Sequence, residues 1–132
     1  MATETLAEVE NGTVLWDDEI EAVVTKWHDY VAGDRFRDGM LTALECIRER
    51  GARKSMGDSR PMKALPQEDQ RWVGEEWTPA AIEAGVERSA VVYADSAIAR
   101  MGLERFAEEM EEIPMDMMVT ADVEEAREFL RG

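Results

Sequence analysis

One stretch of the chain, residues 57 to 77, holds most of the side chains that could do chemistry. It reads GDSRPMKALPQEDQRWVGEEW and places Asp58, Ser59 and Arg60 side by side, with Trp72 and Trp77 downstream. A serine between an aspartate and an arginine could belong to an active site, to a phosphorylation switch or to structural scaffolding. Which of the three it serves depends on the elements that position these residues.

The residue types that carry ordinary catalysis lack suitable neighbours in this sequence. His28 is the only histidine, and it has no serine, cysteine or metal-ligating side chain at a useful spacing. Cys46 lies beside Leu44 and Ile47 in a helical pattern, which indicates a small core residue rather than a nucleophile. No Gly-rich phosphate loop, Gly-x-Ser-x-Gly or His-Glu-x-x-His motif occurs. The sequence therefore predicts a protein that is not an enzyme and has no cofactor and no metal.

The hydrophobic pattern predicts alternating strands and helices. Apolar residues recur at helical spacing between Asp34 and Arg50, and Gly51 follows as a C-cap. Strands are predicted at residues 13–16, 20–27, 52–59, 88–94 and 115–121. Further helices are predicted to begin at Pro66, at a break at Thr78, at Asp95 or Ser96, and at Asp122.

The order of these elements, β-β-α-β-α-β-α-β-α, predicts an α/β fold. Strands that alternate with helices call for a mixed, mainly parallel sheet, in this case of five strands with four to five helices. We expect a single domain over residues 12–132, because the chain has only 132 residues. Residues 1–11 lack a clear hydrophobic period and are predicted to form a flexible N-terminal segment.

The acidic composition limits the partners of the protein. The chain has 30 acidic and 15 basic residues, a formal net charge of -15, which disfavours nucleic acids as partners. Arginine exceeds lysine by 12 to 3, and with the acidic surplus this resembles proteins adapted to high salt, although an acidic surface also serves ordinary solubility. The single cysteine and the absence of a long apolar run predict a cytoplasmic protein without membrane insertion.

The two tryptophans are expected to have different roles. Trp72 and Trp77 are five residues apart, which places them about 140° from each other around an α-helix. Both cannot lie at the centre of one apolar stripe. We therefore expect one to anchor the core and the other to cover the edge of a cleft or a partner surface.

The element order and the segment GDSRPMKALPQEDQRWVGEEWTPAAIEAGVERSAVV resemble the STAS-like (SpoIIAA-like) branch of the anti-sigma-factor-antagonist superfamily. The resemblance covers roughly residues 12 to 131 and implies a small interaction module. One departure matters: the phosphorylated serine of the antagonists stands at the start of the helix after the third strand, where this chain reads Leu65-Pro66-Gln67. The phosphorylation switch of the superfamily is therefore not expected at that position.

Two hypotheses for the function follow. The first is a non-catalytic regulatory or protein-interaction module with an unidentified protein partner, with a homodimer as one possibility. The second is a carrier of a small molecule or lipid, bound in the crevice at the carboxyl ends of the strands, where Asp58, Ser59 and Asp95 would lie. A large apolar cavity beneath residues 66 to 86 would favour the carrier. The predicted partner- or ligand-binding residues are Asp58, Ser59, Arg60, Gln67, Trp72 and Trp77.

Overall fold

The computed structural model describes residues 3–62, 65–94, 100–102, 104–105, 108 and 113–131. The strands are β1 (Thr3–Val9), β2 (Gly12–Asp17), β3 (Ala22–Trp27), β4 (Lys54–Ser59), β5 (Arg88–Tyr93) and β6 (Asp116–Thr120). The helices are α1 (Asp34–Arg50), α2 (Gln67–Trp72), a π-helical turn (Val73–Trp77), α3 (Thr78–Glu83) and α4 (Val123–Arg131). Within these ranges, no helix has the length and apolar character that crossing a membrane requires.

The six strands form one mixed sheet in the order β1-β2-β3-β4-β5-β6. β2 is antiparallel to both β1 and β3, and β3 through β6 run parallel. The α/β fold class and the mixed sheet are confirmed, as is the helix over Asp34–Arg50, which ends at Gly51 in the left-handed conformation. The helix predicted to begin at Asp95 or Ser96 lies largely outside the described residues; residues 100–102 are helical.

The sheet has one strand more than the five predicted. The additional strand, β1, comes from the segment predicted to be a flexible tail. It pairs antiparallel with β2 across a two-residue turn, in which Asn11 has a positive φ of 57°, a conformation that asparagine tolerates. A register shift between Thr5 and Ala7 interrupts the pairing, so Leu6, Ala7 and Val9 all pack against the core. This bulge breaks the alternation by which a strand is recognised in sequence.

The sheet carries core residues on both faces. Val23 and Val24, neighbours on β3, belong to different core clusters because successive side chains of a strand point to opposite faces. One cluster joins Val23 to α1 and to Trp77. The other joins Val24 to α4 through Leu130. The protein is therefore built from helices on the two sides of a central sheet.

The helix predicted to start at Thr78 is present as α3, but it follows the π-helical turn directly, without the predicted break. Thr78 has helical dihedral angles, and its N–H donates to the carbonyl of Val73, five residues earlier. This i→i+5 bond is the mark of a π turn. Pro79 follows directly and has no N–H to donate. The wider turn thus lets the chain enter α3 through Thr78-Pro79 without ending the helix.

An ion pair joins the turn between β2 and β3 to α4. Asp17 at the end of β2 is 3% exposed and accepts hydrogen bonds from the N–H groups of Glu19 and Ile20. Its other carboxylate oxygen lies 2.6 Å from Nη1 of Arg127 on α4. Arg127 also pairs with Glu19 at 3.2 Å. Elements that are 110 residues apart in sequence are therefore joined by charge-assisted bonds.

Candidate functional site

The carboxyl ends of the parallel strands define the candidate site. Strands β3, β4 and β5 run parallel and end at Trp27, Ser59 and Tyr93, so these ends meet at one edge of the sheet. We call this the carboxyl edge. Asp58 and Ser59 close β4 at this edge, and Arg60 opens the turn that follows. Asp95, which the carrier hypothesis placed there, is outside the described residues.

Asp58 and Arg60 form a bidentate ion pair at the carboxyl edge. Arg60 donates from Nε to Oδ1 of Asp58 at 2.9 Å and from Nη2 to Oδ2 at 2.7 Å. The backbone N–H of Arg60 also points to Oδ1, at 3.3 Å. The hydrogen bond to Asp58 raises the pKa of the Arg60 guanidinium, against a smaller opposing effect of burial. Both oxygens of the Asp58 carboxylate are therefore occupied by the Arg60 guanidinium.

The two members of this pair differ in exposure. The Asp58 side chain is buried, whereas that of Arg60 is 46% exposed. Two parallel hydrogen bonds fix the plane of a guanidinium as well as its position. The pair consequently holds a cation in one orientation at the surface, with less side-chain entropy left to lose on binding.

Ser59 does not present a free hydroxyl. Its Oγ donates to the carbonyl of Val92 on the neighbouring strand β5, at 3.1 Å, and the residue is half-buried. The backbone carbonyl of Ser59 accepts from the N–H of Met62, which closes the turn. Both bonds hold the end of β4 in place, so the contacts of Ser59 are structural.

The tryptophans divide into a buried and a half-buried residue. Trp77 is 8% exposed, and its indole Nε1 donates to the carbonyl of Met40 on α1 at 2.7 Å. Trp72 is half-buried, with its ring edge-on to Phe36 at 6.4 Å between centroids. The π turn lies between them, so the separation of 140° expected for an α-helix does not apply. Trp77 anchors the core, and Trp72 lies at its periphery.

Trp72 and the turn after β4 belong to one cluster. Met62, two residues after Arg60, is buried together with Trp27 and Phe36, and Trp72 packs against them. This aromatic cluster lies under the loops at the carboxyl edge. Met62 thus packs in the cluster that Trp72 contacts, and its N–H closes the turn that carries Arg60.

Sequence reasoning missed the role of Asp69 and Arg37. Asp69 is 3% exposed and accepts hydrogen bonds from the Gly33 N–H at 2.9 Å and from Arg37 Nε at 3.3 Å. The Arg37 guanidinium lies 5.5 Å from the centroid of the Trp72 ring, within the range of a cation–π contact. Their separation of 32 residues left no local signal that could have revealed the pair.

Gln67 and Gln70 have different surroundings. Gln67, a predicted site residue, is exposed at the first position of α2. Gln70 donates from Nε2 to the carbonyl of Leu65 at 2.9 Å. A Cβ built on Gly102 would lie 3.3 Å from the same nitrogen. Gln70 therefore fixes the start of α2, whereas Gln67 is available for an external contact.

A cavity of about 60 Å³ lies between the sheet and the helices, beneath the π turn. Val73, Trp77 and Thr78 line it from the helical side. Pockets that enclose drug-sized ligands have volumes of about 300–1,000 Å³. This cavity has room for only a few non-hydrogen atoms and is too small for a lipid.

Cys46 and His28 have structural surroundings. Cys46 is a buried free thiol, and burial raises its pKa, with further contributions from Glu49 and Glu45, which disfavours the nucleophilic thiolate. His28 is exposed, and its Nε2 lies 2.8 Å from the hydroxyl of Thr13. Within the described part of the chain, no three His, Cys, Asp or Glu side chains are grouped as a metal site requires.

Comparison of the chain with protein-family models, curated proteins and solved structures finds no match.

Proposed function

We propose that the protein is a non-catalytic regulatory or protein-interaction module that binds a protein partner through Arg60, Gln67 and Trp72 at the carboxyl edge. The observation that carries this proposal is the orientation of Arg60, whose exposed guanidinium is fixed by the buried Asp58. Arginine and tryptophan are the residues most often found as interface anchors. The resemblance to the STAS-like branch supports the same proposal, without a serine switch at Pro66. We place the protein in the cytoplasm, where the free thiol of Cys46 stays reduced.

The chemistry of the site suggests what the partner presents. An oriented guanidinium suits a carboxylate or paired carbonyl oxygens, and the half-buried Trp72 ring suits an apolar pocket. The net charge of -15 favours a partner whose remaining surface is basic, because like charges across an interface oppose association. A nucleic acid does not meet the condition on charge, because its backbone is a polyanion. The small size of the cavity makes the carrier hypothesis the weaker of the two.

The proposal is tested by comparing the proteins captured from the native extract, at native salt, by matched variants. Arg60→Ala removes the oriented cation, and Arg35→Ala is its control, because Arg35 is an exposed arginine in an ion pair with Glu10. We expect a partner retained by the wild type and the control but lost with Arg60→Ala. Capture of the same proteins by all three forms would contradict the proposal. Size measurement of the pure protein shows whether the partner is a second copy.

The two tryptophans provide a second test. Trp72→Ala should weaken binding of the captured partner by about 1–4 kcal/mol, as the loss of an interface anchor does. Trp77→Ala should instead cost about 3–5 kcal/mol of folding stability through the cavity it leaves. Calorimetric titration measures the first effect and urea unfolding the second. If Trp72→Ala only destabilises and leaves the affinity of the folded protein unchanged, the segment is scaffolding.

A further inference from the structure

The cavity beneath the π turn has a partly polar lining. On the sheet side, Thr25, Ser55, Gly57 and Ser89 contribute from three adjacent strands, and on the helical side Thr78 contributes from the first position of α3. The rest of the lining is apolar. The wall of the cavity is thus mainly apolar and includes four residues that carry hydroxyl groups.

Two of these hydroxyls have no partner within the described part of the chain. The Oγ atoms of Ser55 and Ser89 lie 2.9 Å apart and bond to each other. Thr25 and Thr78 are 6% and 1% exposed, and no described residue hydrogen-bonds to their side chains. Every described side-chain polar atom that is fully enclosed does have a partner. The two threonine oxygens therefore keep accessible surface, and both residues line the cavity.

Gly57 leaves space at the sheet side of the cavity. It lies within β4, and a Cβ built at this position would meet no atom within 4 Å. Glycine in a strand interior weakens the strand and often marks a place where a ligand approaches the backbone. In this strand the missing side chain leaves part of the cavity open.

The lining also determines the charge and size of an occupant. None of the described residues around the cavity is ionisable, so a charged molecule would be buried without a counter-charge, at high cost. A volume of about 60 Å³ is enough to admit water molecules. The hydrogen bond between Ser55 and Ser89 uses one of their two O–H groups, so one O–H donor and several acceptor lone pairs remain for a ligand. With Thr25 and Thr78 they supply the two to four polar partners that a buried water requires.

We propose that this cavity is an internal binding site for small neutral hydroxylic molecules, held between Thr25 and Thr78. In plain buffer the occupant is water, and a one-carbon alcohol can take its place. The site is independent of the interaction surface proposed above, since its ligand contacts Thr25 and Thr78 rather than Arg60 and Trp72.

High-resolution crystals of the full chain test the proposal with three probes: plain buffer, methanol and pressurised xenon. We expect ordered water within hydrogen-bond distance of both threonine hydroxyls in buffer. Methanol density in their place supports the proposal, and waters that remain in methanol would contradict a site that accepts alcohols. Xenon should stay out of the wild-type cavity, because only a dry apolar cavity takes it up. Xenon in the wild type, or an empty cavity in buffer, would overturn the proposal.

Variants check the assignment in solution by nuclear Overhauser contacts between bound water and the protein. Thr78→Val should abolish the water contacts at residues 25 and 78. Thr42→Val is the matched control, because Thr42 lies on α1 and its hydroxyl bonds to the carbonyl of Asp38. Gly57→Ala should also lose at least one water, since its methyl group enters the cavity. Unchanged water contacts in both Thr78→Val and Gly57→Ala would refute the site, even if one variant folds poorly.

Discussion

Replacing Gly39 by alanine tests how closely α1 packs on the sheet. In a helix interior alanine is normally better than glycine by about 0.8–1.0 kcal/mol. A Cβ on Gly39, however, would lie 2.6 Å from Cη2 of Trp27. The ring cannot easily move away, because it is buried, lies against Phe36 with 5.4 Å between ring centroids, and has Gly12 close to Cε3. Overpacking costs about 1–3 kcal/mol; from the upper end of that range we expect a net loss of about 2 kcal/mol.

Urea unfolding followed by circular dichroism measures this loss, and Trp27→Phe identifies its cause. Trp27→Phe removes the outer ring atoms that the new methyl group would meet, so Gly39→Ala should cost about 1 kcal/mol less in that background. Trp27→Phe alone destabilises through the space it leaves. A stabilising Gly39→Ala, or strictly additive effects in the double variant, would refute the reasoning from this contact.

Three further predictions concern charge. Arg127→Gln should cost about 3 kcal/mol in urea unfolding, because it leaves the buried Asp17 carboxylate without its cation, whereas Arg48→Gln at an exposed position should cost little. The hydrogen bond from Arg131, followed by the charge of Arg127, lowers the pKa of Glu19 below 4.5. As the pH falls, Glu19 therefore takes up its proton in the unfolded state before it does so in the folded state. The stabilisation from its ion pairs is present above pH 4.5 and is lost as the pH falls further. In the Glu19→Gln variant, the melting temperature should depend less on pH in that range. Finally, the melting temperature should rise between about 0.05 and 2 M KCl as the charge surplus is screened, and a flat or falling profile would contradict adaptation to high salt.

Local patterns predicted most of the elements. The helical repeat ending at Gly51 gave α1, and the β-branched runs gave β2, β3 and β5, because burial on one or both faces dictates those patterns. Strand β1 was missed because its bulge at Leu6 interrupts the alternation. The π turn was missed because Thr78-Pro79 is also a good helix start. In both cases the local sequence was compatible with two structures, and tertiary packing determined which of them formed.

The candidate site was predictable only where its partners are close in sequence. Asp58 and Arg60, two residues apart, were both expected at the end of the strand, although their ion pair was not predicted. The bond from Asp69 to Gly33 joins residues 36 apart, and no periodicity indicates it. The division between Trp72 and Trp77 was expected, but which of them is buried depends on the π turn and on the carbonyl of Met40.

The segment from residue 57 to 77 therefore combines scaffolding with an accessible surface. Ser59, Asp69 and Trp77 each hydrogen-bond to the backbone of a distant element, so their replacement should act on folding. Arg60 is half exposed although both oxygens of a buried carboxylate hold it. A shorter side chain that donates hydrogen bonds could satisfy the Asp58 carboxylate inside the protein. The stability of the fold therefore does not require a guanidinium that faces solvent. The proposed recognition role therefore depends on this oriented, solvent-facing cation on a chain with a net charge of -15.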